Sequence, residues 1–385
     1  MFALVDSGVA KDKVSKSMNR IDKKWVVVLF LCAFLACRAE ARDEARDEAT
    51  LKVGFIMVGP VSDHGWNYMH DQGRKYLEKS LKGKVETTYV ENVPESAEVE
   101  RVMEKMISQG NRLIFATSYG YLEPAVRVAA RHPEVIVMHC QRCTPKSAKN
   151  VGTYFANQFA AMYVAGVVAG HMTKTGKLGY VGGHPIPQIL ACVNAFELGA
   201  RKANPKVRVK VVWTGSWLDP ATEAEATKGL IEAGADVIGS QLDSSITVVK
   251  TAEKNGAYSI GTQSDLSKDA PKGWLTGEIW NWGPLYVKIA QSVINHTWKP
   301  GDQMYELKDG YSDVAPYGAA VPSPVRVEGD RVKQEMKEGK LIVFKGPIKD
   351  RDGKIRVKSG DVLDSKRVDS VDWVVEGVDG SLSSK

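Results

Sequence analysis

The chain has 385 residues, of which 43% are hydrophobic and 25% are charged, and its formal net charge is +6 at pH 7. This length is more than one compact core needs, so we expect two lobes of ordinary size, and the composition excludes general disorder. Charges of both signs alternate along most of the sequence. The mild positive charge therefore indicates a solvated surface and excludes a nucleic-acid-binding face.

The N-terminal region predicts an exported protein. An apolar run over residues 25–36 follows several basic residues, and it is shorter than the roughly 20 residues that a membrane-spanning helix needs. We interpret residues 1–41 as a signal segment, in which Met18 is an alternative start. Cys37 ends an approximate lipoprotein box and is a candidate for lipidation, with ordinary signal cleavage a few residues later as the alternative. The charged residues 42–50 then predict a solvated linker.

From Leu51 onward, short apolar runs alternate with amphipathic stretches, which is typical of alternating strands and helices. Strands are predicted at Leu51–Val58, Val85–Val90, Leu113–Ala116 and Val135–His139, and the second run begins after Val151–Phe155. Helices are predicted between them at Trp66–Leu81, Ser96–Gln109 and Leu122–Arg131. This order predicts a parallel, doubly wound sheet.

A second region repeats this pattern without repeating the residues. Strands are predicted at Leu178–Val181, Val207–Trp213 and Val237–Ser240, helices at Ile189–Ala203, Ala221–Ala233 and Ile246–Lys254, and a crossing strand at Ser259–Gly261. The apolar stretch Phe159–Met172 predicts a buried helix, in which Gly166 and Gly170 allow close packing against the sheet. The remaining predictions are a helix at Asp330–Lys337, a strand at Leu341–Phe344 and a turn at Asp352–Gly353.

The predicted fold class is α/β, with two lobes that are each a doubly wound, mainly parallel sheet. We expect lobe 1 to comprise residues 51–156 and 263–313, and lobe 2 to comprise residues 157–262 and 314–385. The chain is expected to cross between the lobes near Phe155–Gln158, Gly261–Asp265 and Asp313–Tyr317.

The sequence has no motif typical of a hydrolase nucleophile, a zinc protease or a phosphate-binding loop. His64 and His184 could serve as bases, so an enzyme stays open as an alternative. The spacing of Cys140 and Cys143 resembles a metal or redox pair, but one such pair alone favours a disulfide or two inert thiols. We therefore expect neither a metal site nor a cofactor.

Recognition groups follow the predicted strands at the ends where open α/β sheets bind ligands. Trp66 and Trp217 occupy matching loops of the two lobes, so they could stack on the two faces of one flat ligand. Polar side chains in such loops would hydrogen-bond the edge of the ring, namely Asn67, Asn157, Asp243 and Asp265. The other candidate ligand-binding residues at strand ends are Ser118, Tyr119 and Trp280. Each residue also has an ordinary structural alternative as a core, capping or turn residue.

Several segments together carry a family resemblance that extends over about Leu51–Gly377. The segments are Val61–Asn67, Phe155 with the following Tyr163–Gly166, Lys177–Gly183, Gly215–Pro220, Gly234–Val237 and Ile260–Gly261. In these the chain resembles the basic membrane protein family, whose members are substrate-binding lipoproteins of ABC importers. The resemblance implies the type I periplasmic-binding-protein fold, a location that is periplasmic or lipid-anchored at the cell membrane, and an ABC permease in the cytoplasmic membrane as partner.

Characterised members of that family bind purine nucleosides or purine bases, stacking the ring between aromatics at the positions of Trp66 and Trp217. This chain differs from the nucleoside-binding pattern, because Trp280 stands where a lysine near the ribose is expected and Gln263 where aspartate is frequent. The resemblance with these departures implies a free purine base such as adenine, with Trp280 closing the pocket and Asp243 or Asp265 reading ring or exocyclic nitrogens. Nucleoside or sugar binding and ligand sensing on the same fold are alternatives, and a purine-processing enzyme is a remote one.

Overall fold

The computed structural model describes residues 50–141 and 149–382. The predicted signal segment, Cys37 and all of the predicted linker except Thr50 lie outside the described residues, as does Cys143. From Leu51 onward the described residues belong to one compact unit.

Strands and helices alternate along most of this unit, as the sequence predicts. The strands are β1 (Leu51–Ile56), β2 (Val85–Val90), β3 (Leu113–Ala116), β4 (Ile136–Cys140), β5 (Val151–Ala156), β6 (Lys177–Gly182), β7 (Arg208–Trp213), β8 (Val237–Gln241), β9 (Tyr258–Gly261), β10 (Trp274–Trp280), β11 (Asp302–Tyr305), β12 (Ser312–Val314), β13 (Ile348–Lys349), β14 (Ile355–Val357) and β15 (Val378–Asp379). The helices are α1 (Trp66–Ser80), α2 (Glu98–Ser108), α3 (Leu122–Arg131), α4 (Phe159–Met172), α5 (Pro187–Ala203), α6 (Pro220–Glu232), α7 (Ile246–Lys254), α8 (Trp282–Ile294), α9 (Ser323–Lys337) and α10 (Ser365–Val368). Short 3-10 turns lie at Tyr119–Tyr121 and Leu307–Asp309.

Two main sheets organise these elements into two lobes. In the described residues, the first sheet has the strand order β11-β5-β4-β3-β1-β2, and the second has the order β12-β10-β9-β8-β6-β7-β15. Neighbouring strands are parallel in both sheets except for the pair β10 and β12, which is antiparallel. The predicted fold class is therefore confirmed.

The helix α4 is buried over nearly its whole length, as its apolar sequence predicts. Its glycines pack against the next helix, however, and not against the sheet as expected. A Cβ atom on Gly166 would lie 2.1 Å from the carbonyl oxygen of Phe196, and one on Gly170 would lie 2.4 Å from that of Ala200. The absence of side chains therefore lets α4 and α5 approach to backbone contact.

The segment 263–313, expected in lobe 1, contains elements of both lobes. Strand β10 lies inside the second sheet, whereas α8 packs on α1 and β11 extends the first sheet. The sequence pattern did not indicate β10, because Gly277 and Glu278 interrupt its apolar run. The chain consequently passes between the lobes at residues 157–158, at Asn281 and at residues 306–311.

Two of the three predicted crossings are therefore wrong in position. Ser259–Gly261 forms most of β9, an interior strand paired with β8 and β10, so the following segment stays within the second lobe. The strand predicted at Leu341–Phe344 is also absent from the described residues, although Phe344 is buried and its ring lies 5.2 Å from that of Phe159. This apolar run packs against the core without joining a sheet.

The turn predicted at Asp352–Gly353 is confirmed as the connection between the antiparallel strands β13 and β14. Gly353 has a φ of 80°, a conformation that glycine adopts without strain. In the described part of the chain, no helix combines the length and the hydropathy that crossing a bilayer requires.

Candidate ligand-binding cleft

A cleft lies where the carboxyl ends of the two sheets face each other, the place at which open α/β sheets bind ligands. Its lining residues are Trp66, Ser118, Tyr119, Gln141, Phe155, Gln158, Ile186, Gln188, Ile189, Trp217, Gln241, Leu242, Asp243 and Gln263. Five predicted site residues are among them, and these come from both lobes. Among the described residues that line it there is no lysine or arginine, so this part of the lining offers no cation to a phosphate group.

Trp66 is the first residue of α1 and forms one wall of the cleft. Its indole N–H donates to the backbone oxygen of Thr117 at 2.7 Å, which fixes the orientation of the ring. The ring of His70 supports it edge to face, with the centroids 4.5 Å apart. Burial lowers the pKa of His70 to about 3, so this support is neutral. Trp66 is 9% exposed, and the aromatic cluster beneath it holds it in place.

Trp217 lies in the loop after β7 and forms part of the wall that the second lobe contributes. Its ring is half-buried and rests against His184, with a centroid distance of 4.8 Å and an interplanar angle of 72°. A Cβ atom on Gly183 would lie 2.7 Å from the Trp217 ring, so glycine is needed for this close approach. Within the described residues the rings of Trp66 and Trp217 do not touch each other, and the cleft separates them.

Asp243 connects the two lobes through its backbone. Its N–H donates to the carbonyl oxygen of Trp217 at 2.9 Å, and its own carbonyl oxygen accepts the N–H of Trp66 at 2.7 Å. Its side chain lines the cleft, and its carboxyl group makes no hydrogen bond with the described residues. Burial raises the pKa of Asp243 well above its usual range, and the nearby carboxylates of Asp63 and Glu95 raise it further. The cleft therefore contains an acidic group that lacks a partner.

Glutamine side chains supply most of the other polar atoms of the cleft. The amide nitrogen Nε2 of Gln241 is buried without a partner, while its oxygen accepts from the hydroxyl of Tyr180 at 3.3 Å. The oxygen Oε1 of Gln188 is also buried without a partner, and its Nε2 donates to Oε1 of Gln141 at 3.2 Å. Buried polar atoms are normally hydrogen-bonded, so these two atoms mark places where a ligand could supply the missing partner. These glutamines are not among the predicted site residues, although Gln141 and Gln241 stand at strand ends.

Four of the predicted site residues do not line this cleft. Asn67 is buried and structural, because its side chain bonds Asp63 and the backbone N–H of Gly59. Asn157 lines a neighbouring groove, and Asp265 is exposed and accepts the N–H of Ser267 in a turn.

Trp280 is the fourth of these residues, and it lies behind the wall of the cleft. It is 1% exposed, stacks on Trp282 at 4.3 Å and meets Trp66 edge to face at 5.8 Å. Its indole N–H donates to the side-chain oxygen of Gln263, which itself lines the cleft with a φ of 75°. Trp280 therefore supports two lining residues from behind.

Backbone and side-chain bonds join the two lobes at the mouth of the cleft. Besides the bond between Trp66 and Asp243, the hydroxyl of Ser264 donates to the carbonyl oxygen of His64. Gly65 lies so close to the second lobe that a Cβ atom there would stand 1.8 Å from the carbonyl oxygen of Asp243. This arrangement encloses the space between the lobes.

The sequence model of a known family, described as ABC transporter substrate-binding protein PnrA-like (Bmp), matches residues 50–352. The chain belongs to this family. Members of the Bmp family are extracytoplasmic substrate-binding proteins of ABC transporters, so the chain is a binding protein and not an enzyme. Its partners are a small-molecule ligand and a permease.

Relatives and solved structures agree with this assignment. A purine-binding protein of Brucella abortus is 41% identical over 332 residues, which cover 86% of this chain and 94% of that protein. A protein of Haloferax volcanii, named as an ABC transporter glucose-binding protein, is 29% identical over 77% of this chain and 75% of its own length. The structure of an ABC transporter solute-binding protein from Conexibacter woesei is similar in fold, with a TM-score of 0.64 and 21% identity over 76% of this chain and 98% of that one.

Proposed function

We propose that this binding protein captures an unphosphorylated purine, and that a free base such as adenine is the preferred ligand. The single observation that best supports the proposal is the pairing in one cleft of an unpartnered acceptor, the Asp243 carboxyl, with an unpartnered buried donor, Nε2 of Gln241. Adenine presents an exocyclic amine beside ring nitrogens that accept hydrogen bonds, so one edge of the base complements this pair.

The aromatic walls support a flat ligand. Trp66 and Trp217 lie on opposite lobes of the cleft, and Phe155 is a third aromatic lining residue. Stacking of a purine between the two tryptophans would bury both faces of the ring. The name of the Brucella relative, a purine-binding protein, agrees with such a ligand.

The charges of the cleft favour a base over a nucleotide. The described residues of the lining include no lysine or arginine, and the acids Asp63, Glu95 and Glu223 lie close enough to Asp243 to raise its pKa. A phosphate group would meet electrostatic repulsion here, whereas a ligand rich in N–H donors would relieve it. The fully buried Trp280 supports the wall from behind and makes that wall rigid.

Isothermal titration tests the proposal with adenine, guanine, hypoxanthine, adenosine and glucose as ligands. We expect adenine to bind most tightly, and tighter binding of adenosine or glucose would contradict the free-base proposal. Gln241→Leu removes the buried donor at similar volume and should weaken adenine binding by about tenfold, or about 1.4 kcal/mol. Asp265→Ala is the matched control, because Asp265 is exposed outside the cleft and its loss should leave the affinity unchanged.

We also propose that Cys37 anchors the protein to the membrane through a lipid. The apolar run before it and the approximate lipoprotein box support this proposal. Expression with labelled fatty acid should label the wild type but not Cys37→Ala, and the variant should move to the soluble fraction. Equal labelling of both proteins would contradict lipidation at this residue.

A further inference from the structure

Glu278 is an acidic residue that is fully buried inside a strand. It lies in β10, two residues before Trp280, and its side chain is 0% exposed. Among the described residues no lysine or arginine forms an ion pair with it, and it does not line the cleft. A buried acid without a cation is costly, so the structure must use its oxygens in another way.

Three neutral donors approach the two carboxyl oxygens. Oε2 accepts from Nε2 of Gln158 and from the backbone N–H of Gln263, each at 3.3 Å, and Oε1 lies 3.4 Å from the hydroxyl of Ser312. Gln158 belongs to the first segment that passes between the lobes, and Ser312 directly follows the last one. Gln158 and Gln263 both line the cleft. One side chain therefore joins two lining residues to the region where the lobes connect.

The hydrogen bond to Glu278 holds the backbone of Gln263 in an unfavourable conformation. Its φ of 75° is unfavourable for a residue with a side chain and persists only where neighbours hold it. Its side chain donates to the carbonyl oxygen of Leu242 at 2.6 Å and accepts the indole N–H of Trp280. Release of its backbone N–H would thus disturb both a lining residue and the support of Trp66.

The raised pKa of Glu278 agrees with its neutral hydrogen-bond partners. Burial raises its pKa to about 8, although the bonds from Gln263, Gln158 and Ser312 act in the opposite direction. The carboxyl group keeps its oxygen lone pairs when it is protonated, so Oε2 can still accept the bonds from Gln158 and Gln263 at neutral pH. Tyr180 and Cys192 face the same acid, and burial keeps both of them neutral.

We infer that Glu278 is a positioning residue of the binding site, which holds Gln158 and Gln263 in place at the floor of the cleft without touching the ligand. This inference rests on the proposed function, because it takes a purine as the ligand. The hydrogen bonds of Glu278 themselves are present in the ligand-free protein. Glutamine can keep the two bonds that Oε2 accepts from Gln158 and Gln263, and its amide N–H can bond the Ser312 hydroxyl, which is able to accept as well as to donate. Leucine has a similar volume and can reproduce none of them.

The experiment compares wild type, Glu278→Gln and Glu278→Leu. Titration with adenine should give a similar affinity for Glu278→Gln and a loss of about tenfold or more for Glu278→Leu. Hydrogen exchange of the ligand-free proteins should show the Gln263 amide protected in wild type and Glu278→Gln, and exchanging at least about tenfold faster in Glu278→Leu. If Glu278→Leu does not fold, Glu278→Asp replaces it, since the shorter acid keeps the chemistry but not the reach to Gln158 and Gln263.

Two results would overturn the inference. One is an unprotected Gln263 amide in the wild type, or unchanged protection in Glu278→Leu and Glu278→Asp. The other is an equal loss of adenine affinity in Glu278→Gln and Glu278→Leu. If the wild type binds no purine at all, the proposed function fails, and the exchange of the free protein alone still decides the role of Glu278.

Discussion

Gly65 is the residue at which the enclosed arrangement of the cleft can be tested most sharply. A Cβ atom at this position would stand 1.8 Å from the carbonyl oxygen of Asp243, and this oxygen also accepts the N–H of Trp66. A carbon and an oxygen need about 3.3 Å, so Gly65→Ala must move the two backbones apart by roughly 1.5 Å. The displaced residues are Trp66 and Asp243, which both line the cleft.

We expect Gly65→Ala to weaken adenine binding by at least about tenfold, which corresponds to about 1.4 kcal/mol. The contact lies between the lobes and not within the core of either, so the far-ultraviolet circular dichroism spectrum should stay that of the wild type. Isothermal titration measures the affinity.

Gly229→Ala is the matched control for this substitution. Gly229 lies inside α6, and a Cβ atom there would meet no other atom within 4 Å. The control should therefore keep the wild-type affinity and gain about 0.5–1 kcal/mol of stability, because alanine favours a helix over glycine. Wild-type affinity in Gly65→Ala would refute the reasoning, since the ligand-bound protein would then not need this close approach.

Three further predictions follow from other sites. Trp217→Ala should weaken adenine binding by about 1 kcal/mol or more through the loss of one stacking face, and titration beside the exposed-site control Asp265→Ala checks this. Burial and neighbouring acids raise the pKa of Asp243 in the folded protein. Above the pKa of an ordinary aspartate the unfolded chain releases this proton while the folded protein keeps it, so Asp243 lowers the free energy of unfolding at these pH values. Asp243→Asn should thus be more stable than the wild type at pH 7 and should lose the advantage near pH 3, as urea denaturation would show. Gly166→Ala should lower the free energy of unfolding by about 1–3 kcal/mol, because its Cβ would meet the oxygen of Phe196, and unchanged urea midpoints would contradict the packing described for α4 and α5.

The strand and helix pattern could be predicted from the sequence wherever hydrophobic periodicity was regular. Most elements before residue 260 are confirmed within a few residues, because their apolar runs match buried strands and amphipathic helices. The prediction failed at β10, where a glycine and a buried acid break the pattern. It also failed at Leu341–Phe344, where an apolar run packs on the core without a partner strand. Local pattern does not determine to which sheet a strand belongs, and the misplaced crossings follow from this limit.

The candidate site was predictable in outline but not in its hydrogen bonding. The rule that ligands bind at strand ends identified Trp66, Trp217 and Asp243, which all line the cleft. The same rule also predicted Asp265 as a site residue, because Asp243 and Asp265 both follow a strand and the sequence does not distinguish them. The structure separates them, since one faces the cleft without a partner and the other caps an exposed turn.

The unpartnered groups of the cleft have a common physical meaning. The unpartnered atoms of Gln241 and Gln188 cost stability, since a buried polar group gives up its bonds to water. Asp243 costs stability at neutral pH because its surroundings raise the pKa of its carboxyl group. Glu278, by contrast, is fully buried and has donors for both of its oxygens. Glu278 is therefore satisfied within the protein, whereas the Asp243 carboxyl makes no hydrogen bond with the described residues. The N–H groups of the free purine base that we propose as ligand would supply a donor to Asp243, and an equal affinity of Asp243→Ala for that base would contradict this role.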